Sequence, residues 1–291
     1  MSRARAVYPN FVSLQQGSCN IWLDSNWADP QFVAVLKNAD ELFNSPGCEV
    51  IKDQIKIKVA KVAIEVSGEK HAIYVKRYNS SSLRQRIGSI FAWSGGVKSL
   101  RGAAVLKRNG IATAKPIAAV EERRQGAVHR SFYLSQEILG GVTVDAYWLN
   151  SLKPLPFLEG RRRRRMFLDQ LGELFRRLHG QGVYHNDLKD ANILAVPVGD
   201  GESIDFYLLD LEGVRQYPVL SESRRIKNLV QLNRTLGRHL TGTQRLTFLR
   251  AYLGPSFLDR RSRRRLTAKV VGASNHLDAI KARQLLLSTA V

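Results

Sequence analysis

The sequence predicts an α+β fold in which a β-rich half precedes a helix-rich half. Apolar and polar residues alternate in "IKIKVAKVAIEVSG" and again in "EKHAIYVKRYN", which is the period of a half-buried strand. Further along the chain, apolar residues from Phe167 to Leu178 recur at helical spacing and form one stripe. The apolar content of 44 % in 291 residues is ordinary for a globular protein with a core.

The first half is expected to form a small antiparallel sheet with one helix. The two alternating segments flank a turn at Ser67 and Gly68, which predicts a hairpin. "SLRGAAVLKRNG" predicts a helix that ends at Gly110, and "AKPIAAVEERRQGAVHRSFYLSQEIL" predicts two more strands. We assign residues 48–137 to this first domain. Residues 1–47 are expected to be an irregular N-terminal extension with a short helix at "DPQFVAVLKNADELF".

The second half, residues 138–291, is expected to be mostly helical. "RRRRRMFLDQLGELFRRLHGQG" predicts a long helix ended by Gly180 and Gly182. "NILAVPV" and "IDFYLLDLEG" predict a second hairpin, and "SESRRIKNLVQLNRTLGRHL" and "GTQRLTFLRAYLG" predict amphipathic helices. A cleft between two such lobes is the expected place for a ligand.

The charge balance points to an anionic partner. The chain has 45 Lys and Arg against 25 Asp and Glu, a net charge of +20. Such an excess is typical of proteins that bind nucleic acid, an anionic membrane face or a phosphorylated substrate, although a solvated basic surface is an equal alternative for any single run. Two arginine runs stand out, "GRRRRRMF" and "DRRSRRRL", and no acid lies between Lys76 and Glu121.

The sequence favours a cytoplasmic protein without a membrane-spanning helix. No apolar run approaches the about 18 residues that cross a bilayer, and the early arginines are not followed by the apolar core of a signal peptide. Cys19 and Cys48 have no metal-type spacing and fit a reducing compartment.

The stretch "YHNDLKDANIL" carries the polar residues that suggest chemistry. Asp187 follows a helix, Asn192 begins the second hairpin, and Asp210 ends it, so Asn192 and Asp210 are expected to converge. Asp and Asn oxygens suit Mg²⁺, which takes few protein ligands together with a substrate phosphate. Asp187 is then available to accept a proton from an attacking hydroxyl, and Lys189 to neutralise a transferring phosphoryl group. A lone loop Asp is more often a turn residue, but the ordered set argues against coincidence.

This set resembles the protein-kinase pattern H-x-D-x-K-x-x-N followed by a D-x-G-like acid. The resemblance implies a bilobal protein-kinase-like fold, Asp187 as the catalytic base, and Asn192 and Asp210 as Mg²⁺ ligands. It also implies that Lys76 contacts the ATP phosphates and that Glu137, at the hinge between lobes, contributes to the ATP-binding site. The chain departs from protein kinases by lacking a glycine-rich loop ahead of Lys76, an A-P-E motif, and the arginine that many of them have at the position of Asn186. These departures argue against a protein substrate.

Taken together, "VYHNDLKDANIL", "FYLLDLEGVR", "YVKRY" and "RRIKNLVQLNRTL" resemble the lipopolysaccharide core kinases, the Kdo and heptose kinase family of Gram-negative bacteria. The resemblance implies ATP- and Mg²⁺-dependent phosphorylation of an inner-core sugar. It also implies a peripheral location on the cytoplasmic face of the inner membrane. The expected partners are the anionic core saccharide and the anionic membrane surface, and nucleic acid is not expected to be a partner. Each Lys or Arg near such a membrane surface contributes about 1 kcal/mol to binding.

One departure leaves alternatives open. The helix near residues 99–109 carries no acid to pair with Lys76, so the partner is expected to be Asp210, Glu121 or Glu122. A nucleotide-binding pseudokinase, a basic binding module, and a kinase of another small or lipid-linked hydroxyl such as an aminoglycoside are alternative interpretations. His185 is expected to brace the loop backbone and not to act as a base.

Overall fold

Two compact units make up the chain in this computed structural model, which describes residues 8, 10–79, 93–199, 201 and 203–289. The first unit contains residues 1–108, 113–138 and 210–214, and the second contains residues 109–112, 139–209 and 215–291. Arg84 and Arg86, which belong to the acid-free segment, lie outside the described residues.

The described part of the first unit contains a seven-stranded antiparallel sheet with strand order β1-β2-β6-β7-β5-β4-β3. The predicted hairpin is β4–β5, in which Val66 pairs with Glu69 across the turn at Ser67 and Gly68. The strands are β1 (Phe11–Gln16), β2 (Cys19–Asp24), β3 (Glu49–Asp53), β4 (Ile57–Val66), β5 (Glu69–Asn79), β6 (Pro116–Arg124) and β7 (Ala127–Gln136).

The N-terminal segment is regular, so the expectation of an irregular extension is wrong for residues 11–24. Strands β1 and β2 pair with each other, and β2 continues the sheet by pairing with β6. Ile21, Trp22 and Leu23 are all buried, so β2 lacks the alternation that identifies a half-buried strand in a sequence. The predicted short helix is present as α1 (Pro30–Lys37), whose first backbone N–H groups are capped by Asp29.

Charged contacts attach this segment to the sheet. Asp40, in the turn after α1, accepts hydrogen bonds from Arg77 of β5 and Arg130 of β7. Phe32 and Leu36 of α1 are buried in the same apolar core as Ile21 and Leu23. The first 50 residues therefore complete the sheet that carries Lys76.

The second unit is built around the long helix that the sequence predicted. Leu168, Leu171, Phe175 and Leu178 of this helix are fully buried, as the apolar stripe indicated. Its chain reverses at Gly182, which has φ of +72° and whose N–H is bonded to the carbonyl of His179. The α-helices among the described residues are α1, α2 (Gly95–Arg108), α3 (Val144–Tyr147), α4 (Phe157–Gly180), α5 (Glu222–Arg234), α6 (Gly242–Leu253) and α7 (Arg260–Thr289).

Short strands in the second unit hold the polar loop. The predicted second hairpin is β10 (Ile193–Val198) paired with β11 (Ser203–Leu208), and β8 (Val142–Thr143) pairs with the other edge of β10. Strand β9 (Val183–Tyr184) enters the loop and pairs with β12 (Arg215–Gln216). The stretch from 185 to 192 is thus fixed by paired strands at both ends.

Candidate active site

Lys76 and Asp210 form an ion pair in the first unit. Lys76 lies on β5, between β4 and β7, and its Nζ is 2.5 Å from Oδ1 of Asp210. The same Nζ lies 5.0 Å from the ring centroid of Tyr78, a cation–π distance. Asp210 was one of the three partners that the sequence allowed for Lys76, and the structure selects it.

Glu121 and Glu122 have other partners. Glu121 is almost completely buried, and its carboxylate accepts the backbone N–H of Ser94 just before α2 and bonds Nη2 of Arg123 at 2.8 Å. Glu122 pairs with Arg124. The buried Glu121 therefore anchors the start of α2, where an anion is favoured by the helix dipole.

The backbone at Asp210 has an uncommon conformation. Its φ and ψ are both 58°, in the left-handed region that is costly for most non-glycine residues but that Asp tolerates better than most. A turn of 3₁₀ helix, Leu211–Gly213, follows directly. Helix α2 supports this turn at Gly102, where a Cβ atom would lie 2.2 Å from the carbonyl oxygen of Leu211. The acid-free helix thus contributes a close backbone contact to the segment after Asp210.

In the second unit, Asp187, Lys189 and Asn192 lie together. Nζ of Lys189 is 2.8 Å from Oδ2 of Asp187. The amide nitrogen of Asn192 donates to that same Oδ2 at 3.0 Å and to the backbone carbonyl of Asp187 at 2.7 Å. Because the amide nitrogen is held in this way, the amide oxygen of Asn192, which is the atom that can ligate a metal, points away from Asp187.

His185 braces the loop, as the sequence predicted. Its Nε2 is 2.8 Å from the carbonyl oxygen of Leu209, and its Nδ1 is 3.2 Å from the backbone nitrogen of Asp187. These distances fit a neutral ring that donates from Nε2 and accepts at Nδ1. The ring therefore connects the residue that precedes Asp210 to the backbone of the loop that carries Asp187.

The open end of the hairpin brings two backbones together. Ile193 pairs with Leu208, and the N–H of Leu209 donates to the carbonyl of Asn192 at 2.9 Å. Asp210 is the next residue along the chain. The backbones of residues 192 and 209 therefore lie together, and the convergence of Asn192 and Asp210 on one metal ion stays a prediction.

A buried polar network on α5 holds the loop, and the sequence analysis missed it. Asn228, which is fully buried, donates to the carbonyl of His185 and to Oε1 of Gln231. Gln231 in turn accepts the N–H of Leu188 at 3.0 Å and donates to the carbonyl of Asn186 at 2.7 Å. The backbones of residues 185, 186 and 188, on both sides of Asp187, are thus bonded to two side chains of one helix.

His179 extends this network to α6. Its Nδ1 is 2.9 Å from the hydroxyl of Tyr252, and its Nε2 is 3.3 Å from Oδ1 of Asn228. Burial lowers the pKa of His179 to about 4, so the ring is neutral at pH 7. A neutral ring that donates from Nε2 satisfies Asn228 and accepts the Tyr252 hydroxyl.

Asp190 differs from the other acids of the loop. It is buried, and burial raises the pKa of its carboxyl group, while one carboxyl oxygen accepts the N–H of Ala191 at 2.8 Å. The side chain therefore has a structural role at the turn between Lys189 and Asn192.

Glu137 is engaged at both its backbone and its side chain. Its N–H donates to the carbonyl of Ala72, and its carboxylate is 2.6 Å from Nζ of Lys61. The contact with ATP that the resemblance implies for Glu137 stays a prediction.

Asp210 and Asn192 have the chemistry that Mg²⁺ requires. Both offer side-chain oxygens, and Mg²⁺ takes its remaining ligands from water and phosphate. Among the described residues there is no cluster of three or more His, Cys, Asp or Glu that forms a metal site by itself.

A sheet with a paired lysine and a loop with an Asp–Lys–Asn cluster define the protein-kinase-like class of phosphotransferases. The sequence profile of the Lipopolysaccharide kinase (Kdo/WaaP) family matches residues 56–252, and the chain belongs to that family. It is therefore a kinase that transfers a phosphoryl group to a sugar hydroxyl in lipopolysaccharide biosynthesis.

A solved structure supports the fold. The chain is similar to the structure described as "WaaP in complex with acyl carrier protein", with a TM-score of 0.59 and 20 % sequence identity over 86 % of this chain and 97 % of that chain. The predicted protein-kinase-like fold is thus confirmed. No curated protein sequence matches the chain. Within the described residues, the helices are too short or too polar to cross a membrane.

Proposed function

We propose that this kinase transfers the γ-phosphoryl group of ATP, with Mg²⁺, to a hydroxyl of an inner-core sugar of lipopolysaccharide, either Kdo or heptose. The proposal is carried by the cluster of Asp187, Lys189 and Asn192, because these three side chains bond to one another within one loop. The family supplies the saccharide class of the acceptor.

Asp187 accepts the proton of the acceptor hydroxyl as the oxygen of that hydroxyl attacks phosphorus. The bond between the γ-phosphorus and the bridging oxygen breaks, and ADP leaves. In the absence of substrate, Lys189 pairs with Asp187; with substrate present, its ammonium group neutralises the transferred phosphoryl group. Asn192 holds the carboxylate of Asp187 in one orientation through its amide nitrogen.

Lys76 binds the ATP phosphates, and Asp210 and Asn192 hold Mg²⁺. The metal ion supplies charge neutralisation on the phosphate oxygens. The ion pair of Lys76 with Asp210 keeps both side chains extended toward the same point before nucleotide binds. We assign residues 48–137 and 138–291 as the two lobes, with Glu137 at the hinge.

The acceptor is lipid-linked, so we place the enzyme peripherally on the cytoplasmic face of the inner membrane. The net charge of +20 supports this location because both the core saccharide and the inner leaflet are anionic.

The test is phosphoryl transfer by the purified protein. It is incubated with ATP and Mg²⁺ and with lipid A–core saccharide whose phosphates have been removed, and the product is weighed by mass spectrometry. We expect the gain of one phosphate. Asp187→Ala should abolish transfer and leave ATP affinity nearly unchanged, whereas Asp205→Ala, which changes an exposed acid of β11, should do neither.

Three results would contradict the proposal or a part of it. ATP binding without transfer to any Kdo- or heptose-bearing acceptor would favour a pseudokinase. Transfer to an aminoglycoside or a free lipid, but not to the core saccharide, would assign the chain a different acceptor. An Asp210→Asn variant that keeps Mg²⁺-dependent affinity for ATP would remove that residue from the metal site.

A further inference from the structure

The two arginine runs of the second unit share an unexpected sequence. Each run follows a Phe-Leu pair and an acid, as "FLEGRRRRR" from Phe157 and as "FLDRRSRRR" from Phe257. The first run lies at the start of α4 and the second at the start of α7. The proposed catalytic chemistry uses none of these residues.

Side chains from both regions line one cavity. The cavity has a volume of about 590 Å³. We call its lining the Phe–Arg surface, after the six side chains that define it: Phe157, Arg161, Arg164, Arg165, Arg250 and Phe257. All of these residues belong to the second unit.

Large apolar side chains extend from the edge of this surface into solvent. Phe157 is 75 % exposed, and its neighbour Leu158 is 79 % exposed. Leu258, which follows Phe257, is 85 % exposed. A single exposed Leu is ordinary, but two apolar pairs beside one basic cavity indicate an interaction site.

Most of the positive charge of the surface is uncompensated. Four guanidinium groups line the cavity, and one carboxylate, that of Asp169, is shared by Arg165 at 3.7 Å and Arg250 at 3.1 Å. Arg161 makes no ion pair with any residue that the structure describes. The surface is therefore able to bind several negative charges.

Some arginines in each run have structural contacts. Arg163 pairs with Glu159 in the first run, and Arg265 pairs with Glu222 in the second. Arg164 donates to the carbonyl of Leu152, before α4. Arg263 donates to the carbonyl of Phe257 and lies 4.7 Å from the centroid of its ring, so it fixes the position of Phe257.

The helix dipole does not favour the arginine runs, although Arg163 and Arg165 form i,i+4 pairs with Glu159 and Asp169. Positive side chains in the first turns of a helix are opposed by the positive end of the helix dipole. Glu159 is the acid in the first turn of α4, and α7 has no acid in its first turn. The helix dipole therefore does not account for clustered arginines at these two positions, so we look for their role in binding.

We propose that the Phe–Arg surface docks the protein onto the anionic headgroups of a phospholipid membrane. The guanidinium groups bind lipid phosphates, and Phe157, Leu158 and Leu258 enter the boundary between headgroups and acyl chains. The inference rests on the proposed function in that the acceptor is lipid-linked. A membrane fits better than nucleic acid because the exposed aliphatic side chains have no counterpart to contact on a phosphate backbone.

The experiment measures partition of the full-length protein onto vesicles by cosedimentation. Vesicles of phosphatidylcholine alone are compared with vesicles containing one part phosphatidylglycerol to three parts phosphatidylcholine. Arg161→Gln with Arg165→Gln should weaken binding to the anionic vesicles about 30-fold, since each basic residue near the surface contributes about fivefold. The matched control is Lys52→Gln with Lys56→Gln, two exposed lysines of the first unit, which should change binding little.

The apolar contribution is tested separately. Leu158→Ser with Leu258→Ser should weaken binding to anionic vesicles by about tenfold or more. Each substitution removes the favourable free energy of moving a leucine side chain from water into the membrane. Ile55→Ser with Val219→Ser is the control, since these side chains are 84 % and 79 % exposed elsewhere. The substituted residues are exposed, so the variants should keep the melting temperature of the parent.

Activity separates this proposal from the proposed function. The double arginine variant and the double leucine variant should both phosphorylate a water-soluble, deacylated core saccharide at the parental rate. Both should lose activity on the same saccharide when it is anchored in vesicles. Equal binding to neutral and anionic vesicles, or equal losses in the control variants, would overturn the membrane surface. Arginine variants that lose affinity for DNA or an acidic protein, while the leucine variant keeps full vesicle binding, would also overturn it. Vesicle binding as expected with no transfer to either acceptor would contradict the proposed function alone.

Discussion

The buried network behind the catalytic loop makes a quantitative prediction for Asn228→Ala. The substitution removes hydrogen-bond partners from the carbonyl of His185, from Nε2 of His179 and from Oε1 of Gln231. His185 and His179 are almost completely buried, so water cannot replace the lost partners without a rearrangement. An unsatisfied buried polar group costs about 1–3 kcal/mol, and Gln231 is able to turn toward solvent. We therefore expect a loss of about 3–5 kcal/mol in the free energy of unfolding.

The assay is urea denaturation followed by far-ultraviolet circular dichroism, with Asn233→Ala as the control. Asn233 lies on the same helix, where it donates to the hydroxyl of Ser274 at 2.9 Å and does not contact the loop. Its loss should cost about 1 kcal/mol, the ordinary value for one hydrogen bond. If Asn228→Ala costs no more than Asn233→Ala, the network does not hold the loop.

Loss of the hydrogen bonds that hold the loop around Asp187 should also lower catalytic activity. Gln231→Ala removes the partners of Leu188 and Asn186, on either side of Asp187, without emptying the core position of Asn228. We expect kcat to fall while the KM for ATP stays constant, because the position of Asp187 matters in the transition state and not for nucleotide binding. A rise in KM with unchanged kcat would contradict a positioning role.

Two further predictions follow from close contacts and burial. Gly102→Val places a Cβ atom 2.2 Å from the carbonyl oxygen of Leu211, so it should lower the free energy of unfolding by about 2 kcal/mol or more and abolish phosphoryl transfer. Gly272→Ala, in an open helical position, should instead stabilise the protein by about 0.5–1 kcal/mol. Urea denaturation measures both changes. The pKa of His179 is lowered to about 4 in the folded protein, so the unfolded chain binds its proton first as the pH falls. Stability should therefore decrease from about pH 6.5 to about pH 4 by up to about 3 kcal/mol, and His179→Gln should remove this part of the pH dependence without altering the part due to other groups. A parent and variant with parallel pH curves would show that His179 is protonated at its ordinary pKa.

The fold class was predictable because most elements have a clear period. Strands β4 and β5 alternate, α4 has one apolar stripe, and the hairpin of β10 and β11 is bounded by turn residues. Strand β2 was not predictable in this way, because three consecutive residues, 21–23, are buried and no alternation exists. A three-residue apolar run in a polar segment is equally consistent with a loop that packs on a core.

The catalytic loop was predictable from spacing, whereas its support was not. Asp187, Lys189 and Asn192 are close in sequence, so the distances among them depend little on the rest of the fold. Asn228 lies 36 residues after Asn192, and its contact with His185 depends on how α5 packs. One signal was present in the sequence: Asn228 lies four residues before Leu232, on the same face of the helix, so a polar side chain interrupts the buried stripe.

The lysine–aspartate pair explains how this chain manages without an acid on α2. In the protein kinases that the sequence resembles, a helix glutamate orients the strand lysine, and here no residue from 77 to 120 is able to supply one. Lys76 is instead oriented by Asp210 and by the ring of Tyr78 beneath it. Helix α2 instead supports the turn that follows Asp210, because Gly102 lets the helix backbone approach that turn closely. If nucleotide and Mg²⁺ bind as proposed, Asp210 would hold the metal in place of the lysine, and the ammonium group of Lys76 would be available to the phosphates.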